Sequence, residues 1–503
     1  MFHCRTALVI LALVPSPVLA VTADQVWANW QSLAADAGTR LTASPRRDGD
    51  NLVLSGLALA LGDAANPTTL RLERVVLRDN PDGTVAVVLP DSFPLTLDLP
   101  EPLAPTDPDR LTFITSAPGL ALTIAGLGRT AAFDLAAASL TVTMTLPSGT
   151  PDQLTFTFAA ADLDLHHSND FVSPRSKITS TLSLGALHAD MALAVPGGPN
   201  GSATLDLSRL DAGLDAAALA TALTRNDAPP ADILRTLSED VRLLTSLTYG
   251  PLSMAINGAE PGTPPVDFTL TSASGDLRIS FDDTGLRYAL ASGVTRIDAT
   301  VADPTIPVSQ IGFGYSETAL GLAFGLGTTA QPFSTYARLT DLSLDDPLWA
   351  ALDPAASFPR TPFAIDLALS GQYAVNPAAL QPGWQPTSAY DQRIDILALT
   401  LDTLLLKGLG TTFTGAGALS FDKTDLTTYD GVPAPTGSLS FTATGLNALV
   451  DTLSQASLLT PDQLTGLRFA LAFIAKPGDA PDSLTSKVEF AGKSFSLNGQ
   501  KLR

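Results

Sequence analysis

Through most of this chain the apolar residues recur at every second position. Leu52/Leu54, Leu57/Leu59/Leu61 and Leu70/Leu72 alternate with small or polar residues, as do Leu120/Leu122/Ile124, Leu140/Val142/Met144/Leu146 and Leu154/Phe156/Phe158. A period of two belongs to a strand with one buried face. Asn80-Pro81-Asp82-Gly83 and Asp282-Asp283-Thr284-Gly285 stand between such runs and predict hairpins.

Three stretches switch to helical spacing. Thr22-Ala23-Asp24-Gln25 is a capping box, followed by Val26, Trp30 and Leu33, with Gly38 as the stop. The Trp27 and Trp30 pair reads as an anchor onto the first sheet. Gly213-Leu214-Asp215 opens a helical stretch over 216–223, and Pro230-Ala231-Asp232 opens another carrying Ile233, Leu237, Val241, Leu244 and Leu247. Gly445-Leu446-Asn447 and Thr460-Pro461-Asp462-Gln463 open a second pair, the latter with a full capping box and proline at the first helical position. Pro261-Gly262 follows the first pair and Pro477-Gly478 the second. The two units read either as a weak internal duplication or as helix pairs sharing ordinary caps.

The predicted fold is therefore mainly β with a few helices, a β-rich α+β protein. Long curved antiparallel sheets would be covered by the N-terminal helix and two helix pairs. The expected divisions are 1–20, a signal peptide; 21–248, a β-rich half ending in a helix pair; and 249–503, a β-rich half containing the second pair.

The first twenty residues have the order of a secretory signal. Arg5 supplies the charge, residues 6–14 the apolar stretch, and Val18-Leu19-Ala20 the small-residue site, placing cleavage between Ala20 and Val21. The single cysteine, Cys4, lies inside that segment, so the expected mature chain is free of cysteine and of thiolate chemistry. Of the 503 residues 45 % are hydrophobic and 16 % charged, and the net charge is −21. That material suffices for a large core, and the acidic balance excludes a nucleic-acid phosphate partner. No apolar run reaches the ~18 residues of a membrane-spanning helix.

Candidate chemistry is sparse. Asp162, Asp164 and His166 alternate on a predicted strand, which would put all three on one face with His188 as a fourth metal ligand, but a solvated strand face explains the row equally well. No GxSxG elbow, HExxH or phosphate-loop lysine is present, and residues 321–327 (GLAFGLG) read as a glycine-rich strand or turn. Asp48-Gly49-Asp50-Asn51 and Asp282-Asp283 read as turns rather than calcium loops. No catalytic, cofactor or metal residue is assigned.

Leu348-Trp349-Ala350-Ala351-Leu352-Asp353-Pro354, Pro359-Arg360-Thr361-Pro362, Ile365 to Gly371, the stretch 408–421, Gly445-Leu446-Asn447 and Asn498 to Leu502 together resemble the bacterial family known as domain of unknown function 2125. The resemblance extends through the early tryptophan pair over most of the mature chain. It implies an exported envelope protein of a Gram-negative bacterium, in the periplasm or attached to the envelope, and no catalytic residues. Within these motifs Asp353, Pro354, Pro359 and Arg360 form an expected conformational clamp, with Asp353 or Asp366 as partner of Arg360. The functional expectation is a non-enzymatic binding or scaffold protein whose apolar sheet surface meets a lipid or an envelope protein. The alternative is a carboxylate-dependent hydrolase acting on envelope polysaccharide.

Overall fold

The computed structural model describes residues 20–62, 67–99, 110–145, 153–173, 175–219, 241–301, 308–327, 329–376, 385 and 394–503. Thirty strands join in one sheet, and each described pairing is antiparallel. The protein is mainly β with few helices, as the alternation predicts. Four helices are described: α1 (Ala23–Asp36), α2 (Asp346–Leu352), α3 (Leu446–Gln455) and α4 (Pro461–Ile474).

The sheet is a meander of long strands, each bent once near its middle. Ser183 pairs with Asp164 and Ala186 with Ala161, a single register on both sides of Gly185. Leu184 pairs with Leu210 and Leu187 with Leu207, again one register across Ser208 and Arg209. The same holds across Gly250-Pro251, Ala273-Ser274, Gly293-Val294 and Ser316. These bends are neighbours across the sheet and are tied by backbone bonds: Gly185 donates to Ala161 (2.9 Å), Gly250 to Arg209 (3.0 Å) and Gly293 to Ser274 (3.0 Å). A crease therefore crosses the sheet transversely and divides it into two leaves.

One leaf contains Arg175–Leu184, Leu210–Leu219, Val241–Tyr249, Gly275–Asp282, Gly285–Ser292 and Glu317–Phe324. The other contains Ala186–Ala194, Asn200–Leu207, Leu252–Ala259, Val266–Ser272, Thr295–Val301 and Gln310–Tyr315. Past residue 344 only the first leaf continues, through Phe363–Val375, Ile394–Gly408, Thr411–Asp422, Ala434–Thr444 and Ser483–Ala491. There α2, α3 and α4 leave the strands at the crease, where the second leaf would begin.

The packed core is at the N-terminal end. Ala23, Val26 and Trp27 of α1 are buried against Leu52, Leu54, Leu77, Val85 and Ile124, with Leu57 and Leu72 of the second leaf beside them. Both leaves thus meet α1, and Trp27 is the anchor that its spacing suggests. The capping box of α1 forms as predicted, the Gln25 amide donating to Thr22 Oγ1.

Elsewhere the sheet is one layer thick. The accessible surface is 29134 Å², against about 17,500 Å² for a compact chain of this mass. Among the described residues helices cover the ends of the sheet only. The first expected helix pair is corrected. Leu210–Leu219 and Val241–Tyr249 are paired strands, Gly213 facing Ser246, while 220–240 lie outside the described residues. Leucine-rich runs satisfy either period, and here the flanking strands offer a full ladder on both sides. Gly213 is mid-strand whereas Gly445 is a left-handed helix N-cap (φ 76°), so the two units are not equivalent. The second pair forms as predicted, with the Thr460/Gln463 capping box.

Candidate functional site: an uncovered apolar face

Along each bent strand the apolar positions change phase at the crease. On 175–194 they fall on Ile178, Leu182 and Leu184 before the bend, and on Leu187, Met191 and Leu193 after it. Side chains show that both sets share one face. Tyr249, in the first leaf, reaches across the bend to Ser272 Oγ in the second (3.4 Å), and Ser292 meets the Tyr315 hydroxyl likewise (3.3 Å). The bend thus flips the alternation once, and the apolar face is continuous over both leaves.

Cross-strand ladders define this face. Leu182, Ala212, Leu247, Leu277, Leu290, Leu320, Ala337 and Leu367 are successive partners. In the second leaf Ala189, Leu205, Met254, Leu270, Ile297 and Phe313 are. From Arg175 to Phe324 the face carries no charged side chain among the described residues. Its large residues remain in contact with solvent: Met191 is 48 % exposed, Leu290 42 % and Leu320 45 %.

At the crease the face carries hydroxyls. Thr295 donates to Ser272 (3.2 Å) and to the Gly293 carbonyl (3.0 Å), and Ser292 bonds Thr318 (2.9 Å). Ser272 and Thr295 are buried. Gly275 is required beneath Tyr249, whose ring occupies the space of an added Cβ (2.0 Å).

The opposite face carries the charges. Arg296 binds both Asp298 and Asp345, and Asp98 is held by Arg110 and Arg71. The Arg296 guanidinium keeps the Asp345 carboxyl below its ordinary range, and Arg110, then Arg71, do the same for Asp98. A shallow channel of about 890 Å³ follows the crease here, lined by Ala159, Ala186, His188, Asp206 and Thr271.

The structure separates the residues singled out in the sequence. Asp162 lies at the crease with a left-handed backbone (φ 50°), so the Asp162/Asp164/His166 row breaks there. His166 bonds Asp134 (2.5 Å), His188 bonds Asp206 (2.6 Å), and His167 bonds Ser180 (2.7 Å) and stacks on Phe133. No group of three potential metal ligands occurs among the described residues. Asp48–Asn51 and Asp282–Gly285 close hairpins, and Glu317–Phe324 is a strand.

In the clamp segment Asp353 is buried and accepts the amides of Ser357 (2.9 Å) and Phe358 (2.8 Å), which hold its carboxyl below the ordinary range. Arg360 binds Asp346 at the start of α2 (2.5 Å), while Asp366 binds Arg338. Neither expected partner takes the arginine, because Asp353 is committed to the turn and Asp366 faces a neighbouring strand. Trp349 of α2 is buried and stacks on Phe363 (5.8 Å). Pro354 and Pro359 flank this turn. Ala20 is exposed. Val21 is buried, and its amide donates to Gly83 (2.9 Å); residues 1–19 lie outside the described residues.

The fold defines an amphipathic, single-layer antiparallel sheet with a helix or helix pair at each end. Residues 262–492 match the family described as an uncharacterized protein conserved in bacteria, DUF2125. The resemblance seen in the C-terminal motifs holds over that segment, which is narrower than the expected span. No curated protein and no solved structure matches the chain.

Proposed function

We propose that the apolar face binds the acyl chains of a lipid, and that the protein carries or presents that lipid in the bacterial envelope without catalysing a reaction. The observation that carries this reading is a charge-free aliphatic surface, continuous over two leaves and, among the described residues, covered by helices only at its ends. In the first leaf it spans eight strands from 175 to 375, roughly 34 Å at the usual strand spacing. All of its strands are paired, so it offers a ligand apolar area rather than backbone donors. Acyl chains need no free strand edge.

The hydrolase reading has less support. Asp298 and Asp345 share Arg296, which keeps the Asp345 carboxyl below its ordinary range, whereas a glycosidase needs a carboxyl that keeps a proton. Export accords with the burial of Val21, whose amide donates to Gly83, next to the expected cleavage point. N-terminal sequencing of the mature protein should start at Val21, and an intact Met1 would refute export by this signal.

Native mass spectrometry of the protein isolated from envelope fractions, with lipid extraction, tests the binding reading. Adducts with phospholipid or fatty-acid masses are expected. A protein free of lipid that also fails to take up added fatty acid would overturn it.

A further inference from the structure

The C-terminal helix pair presents a second apolar surface, separate from the sheet face. Helix α4 packs one side inward through the half-buried Leu464, Leu467 and Leu471, and Arg468 pins it to Asp451 of α3 (2.5 Å). Its other side holds Phe469 and Phe473 one turn apart, 76 % and 58 % exposed, with Ile474 and Leu458 exposed beside them. Two outward phenylalanines on one helix stripe gain nothing from the fold that carries them.

Charge reverses at the same place. The chain has net charge −21 and seven lysines, of which four, Lys476, Lys487, Lys493 and Lys501, lie in the last 28 residues with Arg503. Lys476 and Lys487 are brought to the end of α4. Asn498 donates to the Ile474 carbonyl (3.0 Å) and accepts the Lys487 amide (2.8 Å), while Lys476 Nζ reaches the Asn498 carbonyl. Lys501 pairs with Ser496 just beyond that turn. Of the nearby acids, Asp482 caps α3 through the amides of Asn447 and Ala448 and Glu489 binds Lys487, while Asp479 lies three residues from Lys476. Lys493, Lys501 and Arg503 make no ion pair among the described residues.

We propose that α4 and the basic strands after it dock on an anionic phospholipid bilayer, the phenylalanines entering the interface and the lysines meeting the headgroups. Exposed aromatic residues flanked by lysine are the combination that interfacial helices use. The chain as a whole carries net charge −21, and Lys476 directly follows the exposed aromatic side of α4. The inference does not depend on what occupies the sheet face.

The test is flotation of the full chain with phosphatidylcholine vesicles, with and without about one third phosphatidylglycerol. Binding to the anionic vesicles is expected, weakened by salt, and reduced about tenfold or more by F469S/F473S. Changing Lys476, Lys487, Lys493 and Lys501 to Gln should remove the preference for anionic lipid. As a check independent of those variants, F469W alone should bind and show a blue-shifted emission on adding vesicles. Failure of the unmodified chain to float with anionic vesicles at low salt overturns the proposal. So does unchanged binding in F469S/F473S, or an F469W emission that vesicles leave unmoved. Capture of another protein in a defined complex, without vesicle binding, would also reassign the surface.

Discussion

Leu290 and Leu320 are direct partners across two strands in the middle of the apolar face. They are 42 % and 45 % exposed. Fully burying a leucine is worth about 1.5–3 kcal/mol, so covering what remains of each yields roughly 0.6–1.4 kcal/mol, and about 1.3–2.6 kcal/mol for the pair. Replacing both by Thr introduces β-branched residues suited to a strand and removes most of that gain. The affinity for an acyl ligand should fall by roughly 10- to 80-fold. The protein supplies its own control. Leu244 is 50 % exposed but lies on the opposite face, paired with Asp215 and Ser280. Leu244→Thr disturbs the sheet in a comparable way and should leave binding unchanged. A fluorescent fatty acid titrated into each variant, with thermal melts in parallel, gives both quantities. Equal weakening by Leu244→Thr and by the Leu290/Leu320 pair would refute the assignment of the ligand to one face.

Three further outcomes follow from the structure. Leu54 is fully buried against α1, so Leu54→Ala should cost about 2–5 kcal/mol in urea unfolding, more than any single change on the exposed face. Gly56 holds φ +63° in the strand Asn51–Leu61 with no neighbour within 4 Å of an added Cβ, so backbone strain alone sets the cost of Gly56→Ala at about 1–2 kcal/mol; Gly56→Asn should recover part of it. Asp425 accepts from the Thr428 hydroxyl and amide and then from Thr427, which brings its carboxyl to about 2. Its folded value lies below the unfolded one, so its stabilising contribution is complete above about pH 4 and is lost as pH falls through about 2. Thr428→Val should raise that value in an NMR carboxyl titration, and an unmoved titration would contradict the turn.

Much of the architecture was legible from alternation alone. The strands containing Leu52/Leu54, Leu140/Val142 and Leu154/Phe156 form where the period of two places them, as do the hairpins at 80–83 and 282–285. The helices at 23–36 and 461–474 were legible through capping boxes, a local signal that needs no partner. The strands at 210–219 and 241–249 were misread because Val241, Leu244 and Leu247 fit a helix stripe, and only the neighbouring ladders decide between the periods. The apolar face itself was half visible. Each strand shows two alternating runs out of phase, and the phase change marks the crease, as between Leu54 and Leu57 around Gly56. That two phases share one face could not be read from the chain, because it depends on the bend geometry that Tyr249 and Ser272 reveal. The exposed side of α4 was hidden for the opposite reason: Phe469 and Phe473 look like core residues until the packing shows that Leu464, Leu467 and Leu471 already fill that role.

A single-layer sheet of this extent has to stay soluble while one of its faces is greasy. Its long edges are short of pairing sites: the first strand carries Arg40, Arg46 and Arg47, and the last is the two-residue Gln500–Lys501. Charge and brevity at an edge block strand addition, so the sheet does not extend into a fibre. The faces are guarded less evenly. Arginine–aspartate pairs such as Arg71–Asp98 and Arg338–Asp366 solvate one side, and the other has nothing comparable from Arg175 to Phe324. Covering that side with a second layer of helices would have been the ordinary solution, and the chain does place helices at both ends of the sheet. Among the described residues it leaves the middle open instead. The fold thus resists growth at its edges but keeps an apolar surface available across its face, a division expected of a protein whose face is completed by an apolar ligand rather than by its own chain.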